Sequence, residues 1–331
     1  MRRGPLFSAI GAAILIWGFV FIPLKHLTSQ EYTDHPVSPQ AFLVLRFLPL
    51  LPVFAVLLAR HLRSERPGLL RRDWPWMAAM GLFMIPFYHL PFNYALATPI
   101  HTGLISLILN TSPALTYFFA VAFRQERLRR ERTMGVLLAF VGLALIFAEE
   151  VYQNLHGGSG VAFSWLGAGL ALVSATSWSL FTLIGRRLSR DHSGRLTFAA
   201  SGLAATLAIL VAAPFFMDSK ALHQYLALGS LDWLSWAYVS LLAAFFSYWV
   251  WVLALQHFEA SRLASIGNLI PLLVHAFAAL FLPQERKAFT PVYIAGAAVT
   301  LAGMALVIRR RGGPVSSRDP IPPRDRREGG P

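Results

Sequence analysis

Few side chains in this 331-residue sequence can do ionic or acid–base chemistry away from its charged loops. Arg46 lies about seven residues inside an apolar segment, where its guanidinium could bind an anion such as a carboxylate, or extend to the membrane surface or a neighbouring helix. His89 and His275 are candidate proton relays, although a structural, hydrogen-bonded histidine is the more common case. No Asp or Glu lies in the middle of an apolar segment, which disfavours proton exchange driven by a carboxylate.

Two clusters of polar residues surround prolines in long apolar segments. They are Asn110, Pro113 and Tyr117 in one segment, and Asn268, Pro271 and His275 in the other. Tyr117 and His275 each follow their proline by four residues, about one helical turn along the same face. Because a proline frees the backbone carbonyl one turn earlier, these side chains could bind that region or a solute. Interhelical hydrogen bonds are the alternative interpretation.

Two tryptophans occupy matching positions. Trp17 precedes Lys25 by eight residues, and Trp178 precedes Arg186 by eight. Most membrane tryptophans anchor a helix at the interface or fill space, but the matched positions make these two candidate walls of a cavity. The predicted substrate-binding residues are Trp17, Arg46, Asn110, Tyr117, Trp178, Asn268 and His275.

These positions belong to a longer internal repeat. An Ala-Leu pair, a proline, a Gln-Glu-Arg motif and two glycines seven residues apart follow in the same order in 94–148 and in 254–308. We therefore divide the chain into a first repeat, 1–150, a second repeat, 151–308, and a basic tail, 309–331, which we expect to be disordered and cytoplasmic. Duplicated helical halves are typical of transporters that hold their substrate where the halves meet.

Composition places these repeats in a membrane. The chain is 56% hydrophobic and 14% charged, whereas a soluble domain has about 25% charged residues. The absence of cysteine excludes disulfides and zinc–thiolate sites. Ten segments meet or approach the length of about 20 apolar residues that spans a bilayer. They are 6–27, 39–59, 74–95, 99–121, 133–149, 163–184, 196–217, 231–255, 259–282 and 290–308.

The basic residues predict the orientation of these segments. With the N-terminus in the cytoplasm, 24 Lys and Arg residues fall on the cytoplasmic side and 4 on the opposite side. Such a split is the charge bias expected of the correct topology, with both termini cytoplasmic. Because each repeat has five segments, an odd number, the two halves must be inverted relative to each other. The fold predicted is an all-α integral membrane protein of ten transmembrane helices in two inverted five-helix repeats.

The motifs also resemble a known family. Ile16-Trp17-Gly18-Phe19, followed by Lys25, is similar to the opening signature of EamA-type transporters of the drug/metabolite transporter superfamily, and Leu45-Arg46-Phe47 resembles that family's arginine signature. The resemblance covers about residues 6–308. It implies two five-helix bundles, a central cavity, and export or exchange of small metabolites.

The expected function is secondary transport across a cell (inner or plasma) membrane of small metabolites such as amino acids or related compounds. No G-x-x-x-x-G-K-[ST] loop is present, so the chain does not bind ATP through that motif. We expect no enzyme activity, metal, cofactor or nucleic-acid partner, and we expect the lipid bilayer and a small-molecule metabolite as partners. One alternative is an intramembrane lipid-modifying enzyme, which would need clustered His, Asp or Glu at one membrane surface. The other is a receptor or scaffold, which would need a large soluble domain.

Overall fold

The computed structural model describes residues 3–28, 36–62, 67–98, 102–156, 164–217, 224–281 and 290–308. All regular secondary structure within these ranges is helical. The predicted disordered tail, 309–331, and the second Gln-Glu-Arg motif, 284–286, lie outside the described residues.

The first half contains nine α-helices and the second half seven, counted over the described residues. Those of the first half are α1 Arg3–Phe19, α2 Phe21–Thr28, α3 Pro39–Phe47, α4 Leu51–Leu62, α5 Pro67–Met84, α6 Pro86–Ala97, α7 Thr102–Leu109, α8 Ser112–Ala122 and α9 Arg130–His156. Those of the second half are α10 Trp165–Leu188, α11 Gly194–Phe216, α12 Ser230–Ala237, α13 Ser247–Ala254, α14 Ala260–Ile266, α15 Leu269–Phe281 and α16 Pro291–Ile308. A 3₁₀ turn, Leu48–Leu50, joins α3 to α4, and a π-helical segment, Tyr238–Phe246, joins α12 to α13.

Eight helical stretches in the described part of the chain are long and apolar enough to cross a membrane. They are Pro5–Thr28, Pro39–Leu62, Ile105–Ala122, Arg130–Glu149, Trp165–Leu188, Gly194–Phe215, Ser230–Ala254 and Ala260–Phe281. Each corresponds to one of the ten predicted segments. Of the other two, 74–95 is divided between α5 and α6 by a turn at Ile85, and 290–308 contains the shorter apolar helix Pro291–Val307. The chain is thus an all-helical, multi-pass membrane protein.

Two of these stretches are broken at matching places. The α7–α8 stretch is interrupted at Asn110 and Thr111, just before Pro113, and the α14–α15 stretch is interrupted at Gly267 and Asn268, just before Pro271. Proline has no N–H, and its ring clashes with the carbonyl four residues earlier, so an α-helix does not continue through it undisturbed. The two breaks place irregular backbone and an asparagine near the middle of each stretch.

Side chains of the second half satisfy carbonyls that prolines leave free in the first half. Pro49 cannot donate to the carbonyl of Leu45, and the indole Nε1 of Trp236 donates to that oxygen at 3.2 Å. Likewise, the carbonyl four residues before Pro91 accepts a hydrogen bond from the Ser177 hydroxyl at 2.9 Å. Because unsatisfied carbonyls are costly in lipid, these bonds fix α10 and α12 against the proline-containing helices.

Glycines allow α9 and α16 to pack closely. A Cβ atom added to Gly303 would lie 2.3 Å from the backbone nitrogen of Ala139, and one on Gly142 would lie 2.5 Å from the carbonyl oxygen of Gly296. Neither distance can accommodate a side chain, so only glycine permits this approach of the two backbones. The repeated glycines of the two halves therefore serve the close packing of these two helices.

Candidate functional site: a central cavity

A cavity lies between the two halves at the level of the helix breaks. Its volume is about 80 Å³, taken as the space open to the centres of water molecules. By this measure one water needs about 10–15 Å³, so the cavity has room for several waters or a small solute. Both halves contribute polar and aromatic side chains to its lining. These polar and aromatic side chains include Trp17, Arg46, Tyr88, His89, Asn110, Trp178, Tyr248 and Trp251.

A chain of three polar side chains crosses this lining. An Nη1 atom of Arg46, near the end of α3, lies 3.2 Å from Nδ1 of His89 in α6. Nε2 of His89 lies 2.9 Å from the hydroxyl of Tyr248, in the first turn of α13. The chain therefore joins the first half to the second.

The guanidinium determines the direction of these hydrogen bonds. Arg46 can only donate, so Nδ1 of His89 must accept, and the imidazole is the neutral tautomer with its proton on Nε2. That N–H donates to the oxygen of Tyr248, whose own O–H proton is then free to donate elsewhere. Tyr248 lines the cavity, so a solute there can accept this proton.

Arg46 has no carboxylate partner among the described residues. The side chain is buried, with 3% of its surface exposed, and its Nε atom has no hydrogen-bond partner. Its only side-chain hydrogen bond within the described ranges is the one to His89. In addition, the guanidinium carbon lies 5.4 Å from the centroid of the Phe47 ring. Since a cation within a membrane protein normally pairs with an anion or another strong acceptor, the missing partner marks a candidate ligand site.

Aromatic rings form a wall of the cavity that adjoins the polar chain at Tyr248. Trp17 and Trp178 meet edge to face, with ring centroids 5.3 Å apart, and both contact Tyr248 and Trp251. The indole N–H of Trp17 donates to the carbonyl of Ala243, in the π-helical segment, at 3.0 Å. That bond occupies the polar edge of Trp17, so apolar ring surface is left to face the cavity.

The two asparagines at the helix breaks bond to each other. Nδ2 of Asn110 donates to Oδ1 of Asn268 at 3.1 Å, and both side chains are buried. Asn110 lines the cavity, whereas Asn268 lines a small adjoining void of about 10 Å³. The structure brings the predicted pair together as an interhelical hydrogen bond, with only Asn110 facing the cavity.

Tyr117 and His275, two other predicted site residues, lie outside the cavity lining. The Tyr117 hydroxyl is 3.0 Å from the Thr133 hydroxyl and accepts from the backbone N–H of Arg129 at 3.1 Å. His275 donates from Nδ1 to the carbonyl of Pro271 at 2.8 Å, and its ring packs against Tyr293. Each therefore joins neighbouring helices away from the cavity.

Sequence reasoning missed two tyrosines of the lining. Tyr248 accepts the hydrogen bond from His89, and Tyr88 stacks on Phe92 with ring centroids 5.9 Å apart. The available signal for Tyr248 was its place in an unusually aromatic run, 245–251, which reads Phe-Phe-Ser-Tyr-Trp-Val-Trp. For Tyr88 the signal was its position next to a candidate histidine.

A charged network, which we call the loop-end network, lies beyond one end of the cavity. It consists of Glu126, Arg132, Glu259 and Ser261. Arg132 contacts Glu126 at 3.1 Å and also pairs with Glu259, while the backbone N–H of Ser261 donates to Glu126 at 3.0 Å. Glu126 and Arg132 belong to the first half and the other two to the second.

An apolar layer separates this network from the cavity. Ala120, Leu183 and Ala260 form a buried cluster. Along α8, Ala120 lies about two turns beyond Ser112, a cavity-lining residue, and the chain then continues to Glu126. The cavity is therefore closed at this end, first by small and apolar side chains and then by ion pairs.

Comparisons with known proteins agree with this architecture. The EamA-like transporter family matches the chain twice, over residues 5–148 and 165–309. A probable amino-acid metabolite efflux pump of Salmonella typhimurium is 27% identical, covering 92% of this chain and 94% of the pump. An uncharacterized transporter of Archaeoglobus fulgidus is 25% identical over 91% of this chain and 98% of its own.

A solved crystal structure also has a similar fold. It superposes with a TM-score of 0.64 at 20% identity and covers 91% of this chain and 96% of the other. At that identity the likeness extends to the fold alone. Together with the two family matches, which span nearly the whole chain, these findings show that the chain belongs to the EamA-like transporter family.

Proposed function

We propose that this membrane transporter exports or exchanges small metabolites, such as amino acids or related compounds, through the central cavity without using ATP. The observation that carries the proposal is the buried guanidinium of Arg46, which has no carboxylate partner in the described ranges and lies in a cavity where two broken helices meet. Secondary transporters commonly bind substrates at such breaks, where irregular backbone lines a cavity. The similarity to the Salmonella efflux pump supports the choice of metabolites.

The substrate site of this proposal consists of Arg46, His89, Tyr248, Asn110 and the paired indoles of Trp17 and Trp178. Asn268 acts indirectly in it, by holding the amide of Asn110 in place. Tyr117 and His275 are left out because neither lines the cavity.

We also propose ten crossings in two inverted repeats of an inner or plasma membrane, with both termini in the cytoplasm. The eight apolar stretches, together with the helical segments 67–97 and 291–308, make ten crossings. An even number of crossings places both termini on the same side of the membrane. The charge bias supports a loop-end network on the cytoplasmic side of the membrane, with the cavity farther from the cytoplasm. Green fluorescent protein fused after residue 128 or 190 should fluoresce, and after residue 150 or 220 it should not. Fluorescence after residue 150 or 220 would contradict this topology.

Exchange or facilitated export fits the site better than proton coupling through His89. A proton added to Nδ1 of His89 would break its bond from Arg46 and place two cations side by side. A relay through His89 therefore requires Arg46 to move or to be neutralised by a bound solute first.

The function is tested with purified protein in liposomes. Liposomes are loaded with a mixture of amino acids and organic acids, and release of each solute is followed by mass spectrometry. We expect a subset of solutes to leave, faster than from protein-free liposomes and from liposomes with heat-inactivated protein. Failure of every solute to leave, with folded protein in the membrane, would reject transport through this cavity.

A further inference from the structure

We infer that the central cavity prefers monocarboxylate anions with an apolar or aromatic body over zwitterions, amines and neutral amides of the same shape. The inference rests on the proposed function and narrows its substrate class from amino acids and related compounds to related carboxylates that carry no ammonium group. It follows from three features of the cavity: its charge, the direction of its hydrogen bonds, and the nature of its walls.

The first feature is an unbalanced positive charge. Arg46 is permanently protonated, and its bond fixes His89 in a neutral form. No Asp or Glu is among the described residues that line the cavity. A solute that brings one negative charge neutralises the site. A zwitterion brings no net charge, and its ammonium group meets a guanidinium without any carboxylate to offset it.

The second feature is that the polar chain presents donors. Tyr248 accepts from His89, so its O–H points its proton away from the imidazole. Arg46 has N–H groups beyond the single one bonded to His89, because a guanidinium carries five. A carboxylate has two oxygens that only accept, and charge-assisted hydrogen bonds to such donors are short and strong. An ammonium group has only donors and matches neither partner.

The third feature is the apolar surface around this donor pair. Trp17, Trp178 and Trp251 contact one another through their rings. Indole faces can attract a cation, but here the nearby charge of Arg46 opposes one. The amide of Asn110 donates one N–H to Asn268. Its oxygen is a neutral acceptor, which cannot neutralise the charge of a bound ammonium group. The rings therefore suit the uncharged body of the solute.

Four probes of nearly equal size separate these alternatives: 3-phenylpropanoate, phenylalanine, phenethylamine and 3-phenylpropanamide. Ligand-induced thermal stabilisation in detergent is measured at pH 7.5 for each probe, because this readout is free of leakage through a bilayer. Exchange in liposomes is then measured with the same four compounds. We expect 3-phenylpropanoate to bind about tenfold more tightly than each of the others, the gain expected from charge-assisted contacts.

Two substitutions of Arg46 and one control test the origin of the preference. Arg46→Gln should abolish the advantage of the anion, because binding of the anion falls much further than binding of the amide. Arg46→Lys should keep part of that advantage, because lysine keeps the positive charge but lacks the planar guanidinium group that can donate two parallel hydrogen bonds to a carboxylate. Arg187→Gln removes an exposed arginine that stacks over Trp76 and should leave the order of the four probes unchanged.

Each result bears on the inference. Equal or tighter binding of phenylalanine or phenethylamine by the unchanged protein would overturn it, whether or not the Arg46 variants fold. An equal loss of all four probes in Arg46→Gln would show that Arg46 only shapes the cavity and would overturn it as well. Failure of the proposed function has a different signature, since no solute of any charge would then exchange in liposomes.

Discussion

Arg132 and Arg46 are equally buried but have opposite surroundings. The exposed fractions are 5% and 3%. Arg132 pairs with two carboxylates, Glu126 and Glu259, whereas Arg46 has one neutral imidazole as its hydrogen-bond partner among the described residues. A buried ion is tolerated when it is paired and hydrogen-bonded. The first arginine is satisfied by the protein itself, and the second is the one that we propose a ligand satisfies.

The same contrast extends to the regions around each arginine. Near the loop-end network, Asp73 accepts two hydrogen bonds from Arg72 and lies 3.0 Å from Nε2 of His192. Charges at this end thus neutralise one another across the two halves. In the cavity the described residues leave one positive charge, which is the charge that we propose an anion neutralises.

The largest effect should come from removing the paired arginine. Arg132→Gln leaves Glu126 largely buried without its cation and weakens the contact with Glu259. Breaking a buried ion pair in this way costs about 3 kcal/mol of unfolding free energy or more. Thermal unfolding in detergent measures this loss.

Arg130→Gln is the matched control for this prediction. It removes an exposed arginine two residues away and should change stability by no more than about 0.5 kcal/mol. The double variant with Glu126→Gln should lose less than the sum of the two single losses. Equal stability of Arg132→Gln and the control would show that the loop-end network does not hold the halves together.

Removing Arg46, which has no carboxylate partner among the described residues, should change stability much less. Arg46→Gln takes away an uncompensated charge and keeps an amide that can donate to His89, so stability should stay within about 1 kcal/mol of the unchanged protein. A saturating anion at about one hundred times its dissociation constant should stabilise the unchanged protein by about 2.7 kcal/mol, and the variant far less. A loss of stability as large as that of Arg132→Gln would show that the two arginines do not differ in role.

A smaller effect is expected at the far end of the polar chain. Tyr248→Phe keeps the ring, whose centroid lies 5.4 Å from that of Trp178, but removes the acceptor for His89 and one donor to the solute. Loss of one such hydrogen bond corresponds to about fivefold to tenfold weaker binding. Tyr238→Phe is the control, because that hydroxyl donates to the carbonyl of Ile16 at 2.9 Å and does not line the cavity. Equal losses in the two variants would contradict a specific role for Tyr248.

Charge and duplication made part of this site predictable from the sequence. Arg46 was identifiable because a cation within an apolar segment is rare. Trp17 with Trp178, and Asn110 with Asn268, were identifiable because they recur at matching places in two copies of one unit. The structure brings each of these pairs into contact.

The remaining features depended on three-dimensional detail that the sequence does not display. Tyr248 is one of 9 tyrosines in a chain with 25 phenylalanines, so an aromatic residue in an apolar segment carries little signal. Its orientation depends on the π-helical segment that precedes α13. Tyr117 and His275 each follow their proline by four residues, which moves the side chain about 6 Å along the axis. That distance takes both residues beyond the cavity.

The smallest effect on binding is expected from a substitution of His275. This prediction tests how far the ligand site extends beyond the cavity around Arg46. The imidazole donates to the carbonyl of Pro271, one turn earlier in α15, and packs on Tyr293 of α16 with ring centroids 5.0 Å apart. His275→Ala should therefore cost about 1 kcal/mol of stability through lost packing and one lost hydrogen bond.

Binding of 3-phenylpropanoate and its exchange in liposomes should stay within about twofold of the unchanged protein in this variant, because no contact with the cavity is lost. Asn110→Ala is the comparison, since Asn110 lies at a helix break and lines the cavity, and there binding should weaken together with stability. If His275→Ala instead weakened anion binding as much as Tyr248→Phe while keeping its stability, the solute would have to extend past the helix break toward α16. The region that lacks a compensating anion would then be larger than the cavity around Arg46.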